Sequence, residues 1–305
     1  MKRVVPDYYK HFQCIASRCR HSCCVGWEVD VSPEALARYD RVEGDFGHRL
    51  RSKICREDQP HFLLEDGDRC PFLNKDNLCD IYIELGEDAL CQICADHPRW
   101  RNWFADRVEE GLGLCCEEVA RLALTQEQPM TLETLETEGD TLECGEEYLG
   151  LLESRQRLLA VLQNRAKPLQ QRICEAKILS GISGEMPPFR ADIDFLLGLE
   201  IMDEDWSEAL AGLEEAPWSE EWDGDGEQIL CYLIYRYYLT WGLEQWAEEF
   251  ALRLGLFSLR LLGALYSRSP ELTLEKRVEL VRLWSAELEY NEENLERLAD
   301  YLLGI

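Results

Sequence analysis

The chain of 305 residues is 46% hydrophobic and 30% charged, enough apolar content for one large or two ordinary cores. Its net charge of −28 is lopsided: residues 1–126 hold 17 Lys/Arg against 23 Asp/Glu, and residues 127–305 hold 15 against 37. A surface of that sign repels phosphate backbones and anionic lipid head groups, which excludes nucleic acid and membrane as expected partners and favours cationic segments.

The N-terminus, "MKRVVPDYYKHF", opens on two basic residues with no apolar run behind them, unlike a signal peptide. The most apolar long stretch, "ILCYLIYRYYLTWGL", is cut by Arg236 and is too short to span a bilayer. A cytoplasmic location is expected. Disulfides rarely persist there, so clustered cysteines read as metal ligands or redox groups.

In chain order, "FQCIASRCRHSCCVGW" (12–27) is irregular and carries four thiols. Ser32 as cap and Pro33 at the first helical position predict a helix from "VSPEALARYDRV". "CPFLNKDNLCDIY" reads as a short hairpin or knuckle, turning over Asn74 to Asn77 between Cys70 and Cys79. "EEGLGLCCEEVARLALT" predicts a strand or loop running into a helix at about Glu117. Apolar density falls in "TQEQPMTLETLETEGD", which places a boundary near 126–140. Beyond it, leucines at three- and four-residue intervals predict a helix over 146–165, and another follows Pro168. Residues 217–268 predict two long, largely buried helices whose aromatics are core. One or two more close the chain. The expected fold is mainly α: an irregular, cysteine-rich, metal-binding N-terminal unit (1–126) packed on an α-helical unit (140–305).

Eleven of the fourteen cysteines lie within the first 116 residues, and all five histidines within the first 97. The spacing is Cys14-x4-Cys19-x3-Cys23-Cys24, then Cys70-x8-Cys79-x11-Cys91-x2-Cys94, then Cys115-Cys116. The Cys91-x2-Cys94 pair has the bite with which two thiolates share one metal or cluster. Adjacent Cys23 and Cys24 do not easily ligate one tetrahedral zinc together; if extended, they face opposite ways. Nine or more thiols exceed the four that one zinc or one [4Fe–4S] cluster takes, so either two sites exist or some thiols do other work. Zinc and iron–sulfur both accept all-thiolate coordination, and spacing does not separate them. A Cys-x3-Cys-x2-Cys motif begins at Cys19 but meets Gly26 at its third position, and no Gly-x-Gly-x-x-Gly dinucleotide fingerprint is present. His97 reads as a hydrogen-bonding neighbour of the thiols, His21 and His11 less so, and His48 and His61 as solvent-facing. Arg99 and Arg101 read as ion-pair residues, and Cys144, Cys174 and Cys231 as buried apolar fillers.

The segments "PDYYKHFQCIASRCRHSCCVGW", "CPFLNKDNLCDIYIELGEDALCQICADHPR" and "GLGLCCEEVARLAL" resemble the flagellin lysine-N-methylase family. The cysteine-rich half is also similar to the broader group of zinc- or iron-chelating domains with CxxCxxCC-like motifs. The resemblance covers residues 6–125 and includes fixed neighbours such as Gly26-Trp27, Pro71-Phe72 and Pro98-Arg99. It implies methyl transfer from S-adenosylmethionine to lysine amines of flagellin or a similar lysine-bearing protein, with a cysteine-bound [4Fe–4S] cluster, zinc being the alternative. It also implies the ligand set Cys14, Cys19, Cys23, Cys24, Cys70, Cys79, Cys91, Cys94 and Cys116. Where the family usually reads Ser-Cys-Pro-Glu, this chain reads Cys115-Cys116-Glu117-Glu118. No catalytic or S-adenosylmethionine-binding residue is assigned. The alternative function is a non-catalytic zinc- or iron-chelating protein, acting as metal or cluster carrier or redox sensor.

Overall fold

The computed structural model describes residues 1–57, 59–136, 143–183, 186–245 and 247–304. The chain is mainly helical, with a small sheet. It divides into a larger unit of Met1–Phe12, Arg101–Cys115 and Val119–Ile305, and a smaller one of Gln13–Trp100 with Cys116–Glu118. These units differ from the contiguous 1–126 and 140–305 expected from composition.

Strand pairing accounts for the difference. The strands are β1 (Lys2–Pro6), β2 (Ile54–Cys55), β3 (His61–Phe62), β4 (Arg99–Trp103), β5 (Arg107–Leu112) and β6 (Leu132–Glu136). One sheet has the order β4-β5-β1-β6, with β1 parallel to β5 and antiparallel to β6, and β2 pairs with β3. β-branched Val4 and Val5 are buried, with Val5 fully so. The first twelve residues are thereby tied to β5 and β6 and leave the cysteine-rich unit. β6 also occupies part of the expected boundary, whose remainder, 137–142, lies outside the described residues.

The larger unit is built from the predicted helices. Glu146–Leu162 and Leu169–Leu179 appear where leucine spacing and Pro168 placed them. The two long helices are Asp223–Gln245 and Glu249–Arg268, and the chain closes with Leu274–Glu289 and Glu292–Leu303. Asp223–Gln245 is buried on nearly every side, which is why it reads as apolar all round. By length and apolarity Glu249–Arg268, and not the tyrosine-rich helix before it, would suffice to cross a membrane, yet 78% of its apolar window is buried inside the fold.

Buried charges inside this unit are paired. Glu109 on β5 receives both terminal nitrogens of Arg155 at 2.6 Å, with side-chain exposures of 0% and 2%. Glu110 binds Arg3, Arg101 and the Tyr9 hydroxyl, so Arg101 is the ion-pair residue expected. Glu289 accepts from Tyr232, Tyr237, Arg236 and Ser285. Such groups are tolerated in a core only because each has hydrogen-bonding partners.

The smaller unit has its own core of Val29, Val31, Tyr39, Leu50, Phe62, Phe72 and Ile81, extended by Cys70 and Cys91. Its helix Pro33–Asp40 begins as predicted, with Ser32 Oγ accepting from Ala35 N at 3.3 Å. The short helix Asp80–Leu85 stops at Gly86, whose φ of 86° is open to glycine at little cost.

Candidate metal centre

All nine cysteines of the expected ligand set fall in the smaller unit. Cys115 does not. It belongs to the larger unit, where its thiol meets the Tyr290 hydroxyl, whereas Cys116 and Glu117 join the thiol-bearing unit. The chain therefore distinguishes the two adjacent cysteines that the family pattern left ambiguous.

Cys23 and Cys24 occupy the centre of a turn closed by Val25 N donating to Ser22 O at 3.2 Å. The backbone is not extended there, and the two thiols act on each other: Cys24 raises the Cys23 thiol and Cys23 lowers that of Cys24. The far side of the turn is pinned by Cys70 N donating to Cys24 O at 2.8 Å and by a bridge between Val25 and Arg69. Trp27 Nε1 donates to Cys23 O at 2.8 Å, and the ring packs on the core.

The knuckle forms as predicted. Leu73 pairs with Cys79, and Asn74 Oδ1 accepts from Asp76 N at 2.9 Å and Leu78 N at 3.0 Å. Asn77 adopts φ 55°, a left-handed conformation that asparagine tolerates. Cys91 stands at the N-cap position of the helix Gln92–Asp96, and Cys94 follows three residues on, which makes the two neighbours on one side of that turn. Tyr39 Oη donates to Ala89 O at 2.7 Å and lies 3.4 Å from Cys91 Sγ.

Five thiols belong to this core: Cys70 and Cys91 are buried in it, and Cys24, Cys79 and Cys94 pack against it. Burial pushes the Cys70 thiol up to about 12, reinforced by its neighbours Cys24, Cys79 and Cys91. Burial likewise raises Cys79. Within the Cys91–Cys94 pair the shared hydrogen bond lowers Cys91 and raises Cys94. The bond from Cys23 draws Cys24 down to about 7 against burial, helped by Ser22 and Arg69, and raises Cys23. The surroundings of Cys70, Cys79 and Cys94 thus favour the neutral thiol.

The other four, Cys14, Cys19, Cys23 and Cys116, lie outside that core cluster. Cys14 and Cys23 are exposed, and Cys19 and Cys116 half-buried. Cys19 Sγ donates to His21 O at 3.2 Å and faces Glu117 Oε2 at 3.7 Å. Arg20 holds Glu117 through its backbone N (2.8 Å) and its Nε (3.1 Å). Burial works to raise the Glu117 carboxyl, but these Arg20 bonds outweigh it and keep it below the usual carboxylate range. Burial pushes Cys19 up to about 11, with Glu117, Cys116 and Cys14 adding repulsion.

A formed ion site was expected here and is not found. Among the described residues no three His, Cys, Asp or Glu side chains close around a single metal ion. The donor set suits a thiophilic group in kind, being all sulfur, but it is not drawn together. Burial lowers His97 to about 4, which favours the neutral imidazole. His48 is exposed as expected; His61 is half-buried, with Nδ1 2.9 Å from Gln59 O. Of the three cysteines read as fillers, Cys231 is buried, Cys144 half-buried and Cys174 exposed.

Tyr39, Arg20, Arg69 and Glu117 border the thiols and were not singled out by spacing. Arg20 and Glu117 sit directly after Cys19 and Cys116, Arg69 directly before Cys70, and Tyr39 comes from the helix Pro33–Asp40.

The chain is similar to lysine-N-methylases. It is 28% identical over 135 residues to a protein named "Lysine-N-methylase" of Salmonella choleraesuis (strain SC-B67), 42% of this chain and 33% of that one. It is 26% identical over 134 residues to the protein of the same name in Salmonella typhimurium (strain LT2), again 33% of that protein. It is 27% identical over 135 residues to "Flagellar biosynthetic protein FliU" of Salmonella muenchen, covering 79% of it. The match thus spans about a third of the lysine-N-methylases. No protein-family model and no solved structure matches the chain.

Proposed function

We propose that this chain is an S-adenosylmethionine-dependent protein-lysine N-methyltransferase, acting on flagellin or another lysine-bearing protein. In this reading a [4Fe–4S] cluster is held by thiolates drawn from Cys14, Cys19, Cys23, Cys24, Cys70, Cys79, Cys91, Cys94 and Cys116. One observation carries the reading: a chain similar to proteins named lysine-N-methylase gathers all nine of these cysteines in one folded unit.

Zinc and a four-iron cluster both accept all-thiolate coordination, and the cluster is taken here from the resemblance. A zinc tetrahedron with Zn–S of about 2.3 Å needs its sulfurs within about 4 Å of one another. A four-iron cube is a larger body and takes thiolates that stand further apart. When bound, the cluster supplies iron at a potential set by thiolate ligation, hydrogen bonds to sulfur and burial. The Tyr39 hydroxyl, which donates to Ala89 O, stands 3.4 Å from Cys91 Sγ, and Trp27 packs on the aromatic core.

Lysine accepts a methyl group only as the neutral amine, so the protein must desolvate the ammonium and receive its proton. The net charge of −28 raises the local concentration of cationic segments, as a lysine-bearing substrate requires. The test is transfer of labelled methyl from S-adenosylmethionine to flagellin by anaerobically purified, iron-reconstituted protein. Label in the wild-type reaction, absent with Cys91→Ser, is expected. A metal-loaded protein that labels no lysine would point instead to a metal carrier.

A further inference from the structure

Resting on that reading, we infer that an aromatic cavity walled by Trp218, Trp222 and Tyr266, with Glu221 beside them, binds a methylated lysine side chain of the protein product. The cavity belongs to the larger unit, which holds none of the nine cysteines.

On sequence alone the aromatics of residues 217–268 are core. Three of them instead line a cavity of about 610 Å³ that opens to the surface. Trp222 ends the short turn Glu220–Trp222, and Tyr266 stands near the end of the helix Glu249–Arg268. Both are buried, and Trp218 is half-buried. The Trp222 ring stands at 86° to Trp218 and 89° to Tyr266, with centroids 5.6 and 5.3 Å apart, so the rings pack edge to face as one wall. Both long helices leave room for the Trp218 indole. A Cβ on Gly226 would lie 2.8 Å from Trp218 Cζ2, and one on Gly263 would lie 3.3 Å from its Cε3.

A ring face attracts a cation within about 6 Å of its centroid, tryptophan most strongly. Elsewhere the chain supplies that cation itself: Arg3 lies over Tyr9, Arg49 over Phe72, Arg155 over Tyr235, Arg236 over Tyr290 and Arg260 over Phe189. Among the described residues no arginine or lysine stands over Trp218, Trp222 or Tyr266, and none lines the cavity. The arginines nearest in sequence to Tyr266 are engaged elsewhere: Arg268 donates to Ala209 O and Ala211 O, and Arg277 to Asp225. Glu221 is the charged residue of the lining, and Ser219 Oγ donates to its Oε1 at 3.2 Å. An aromatic wall with a carboxylate and no cation takes a positively charged guest. Methylation decides which one. A bare ammonium is compact and strongly hydrated, whereas N-methyl groups weaken that hydration and spread over ring faces. On the functional reading this guest is the product. Holding one methylated residue raises the effective concentration of the other lysines on the same polypeptide, which favours multiple modification of one chain.

The experiment titrates the full chain, by calorimetry, with a peptide carrying one trimethyllysine and with the same peptide unmethylated. The methylated peptide is expected to bind roughly tenfold more tightly. Trp218→Ala and Glu221→Gln should each lose most of that preference. Ser267→Lys, at an exposed position of the lining, should place a competing cation there and abolish it. Circular dichroism checks folding, and if Trp218→Ala unfolds, the two variants at exposed positions decide. Equal affinity for the two peptides, or a preference that survives Glu221→Gln and Ser267→Lys, overturns the inference. Methyl transfer is scored separately: selective binding without it would sink the functional reading alone, and methyl transfer without selective binding would sink only this inference.

Discussion

Replacing Arg155 with alanine leaves the Glu109 carboxylate buried on β5 without its counter-ion. Glu109 is fully inaccessible and takes both its strong hydrogen bonds from Arg155, at 2.6 Å each. Arg155 also donates to Tyr235 O at 3.3 Å, so truncation removes a further contact to the buried helix Asp223–Gln245. Removing one partner of a buried ion pair costs about 3–5 kcal/mol, because the remaining charge has lost its solvent and its partner together. In a unit of this size each kcal/mol lowers the melting temperature by about 2–4 °C, so a drop of roughly 6–20 °C is expected. The assay is urea denaturation of the larger unit, read as a fall in midpoint at unchanged slope. The double variant Glu109→Leu/Arg155→Met should recover most of the loss, since an apolar pair of similar volume needs no charge compensation. An Arg155→Ala protein within about 1 kcal/mol of wild type would refute the reasoning, because water would then have to reach a carboxylate that the fold excludes from it.

Burial raises the Glu287 carboxyl to about 7, although the backbone donors of Met202 and Asp203 pull it down. Its folded value lies above its unfolded one, so its contribution is complete below about pH 4.5 and lost as pH rises through 7, a change of about 3 kcal/mol. Glu287→Gln should remove that slope; denaturation midpoints of the two proteins that run parallel across this window would contradict it. A Cβ at position 113 would lie 1.6 Å from the Tyr290 hydroxyl, so Gly113→Ala should destabilise by about 1–3 kcal/mol, and adding Tyr290→Phe should restore part of it in thermal melts. Tyr39→Phe leaves Ala89 O without its donor, at a cost of about 1–3 kcal/mol, and removes the hydroxyl that lies 3.4 Å from Cys91 Sγ. Reconstituted Tyr39→Phe protein should surrender iron to a chelator faster than wild type; equal rates would remove Tyr39 from the account of the site.

The local features were the legible ones. Ser32 and Pro33 announce a helix start, Asn74 and Asn77 announce a turn, and leucine spacing announces the helices after residue 145. Each of these is decided within a few residues of chain. What escaped depends on partners far away. β1 is five residues long and takes its parallel neighbour from beyond residue 106, so nothing near it declares the pairing. Glu109, Glu110, Glu287 and Glu289 read as solvating acid, yet all four are buried, because arginines, tyrosines and backbone donors elsewhere in the chain satisfy them. At the candidate site the residue types were legible from spacing, and their division was not. It depends on a turn at Ser22–Val25 and on which thiols the aromatic core collects.

The most direct measurement is mass spectrometry of flagellin lysines after anaerobic incubation with S-adenosylmethionine and iron-reconstituted protein. The account predicts lysine side chains heavier by the mass of one or more methyl substitutions. The modification should disappear when S-adenosylmethionine is omitted or when Cys91→Ser replaces the wild type. Unmodified lysines in flagellin, and in the other lysine-bearing proteins offered to a cluster-loaded wild-type protein, would contradict it.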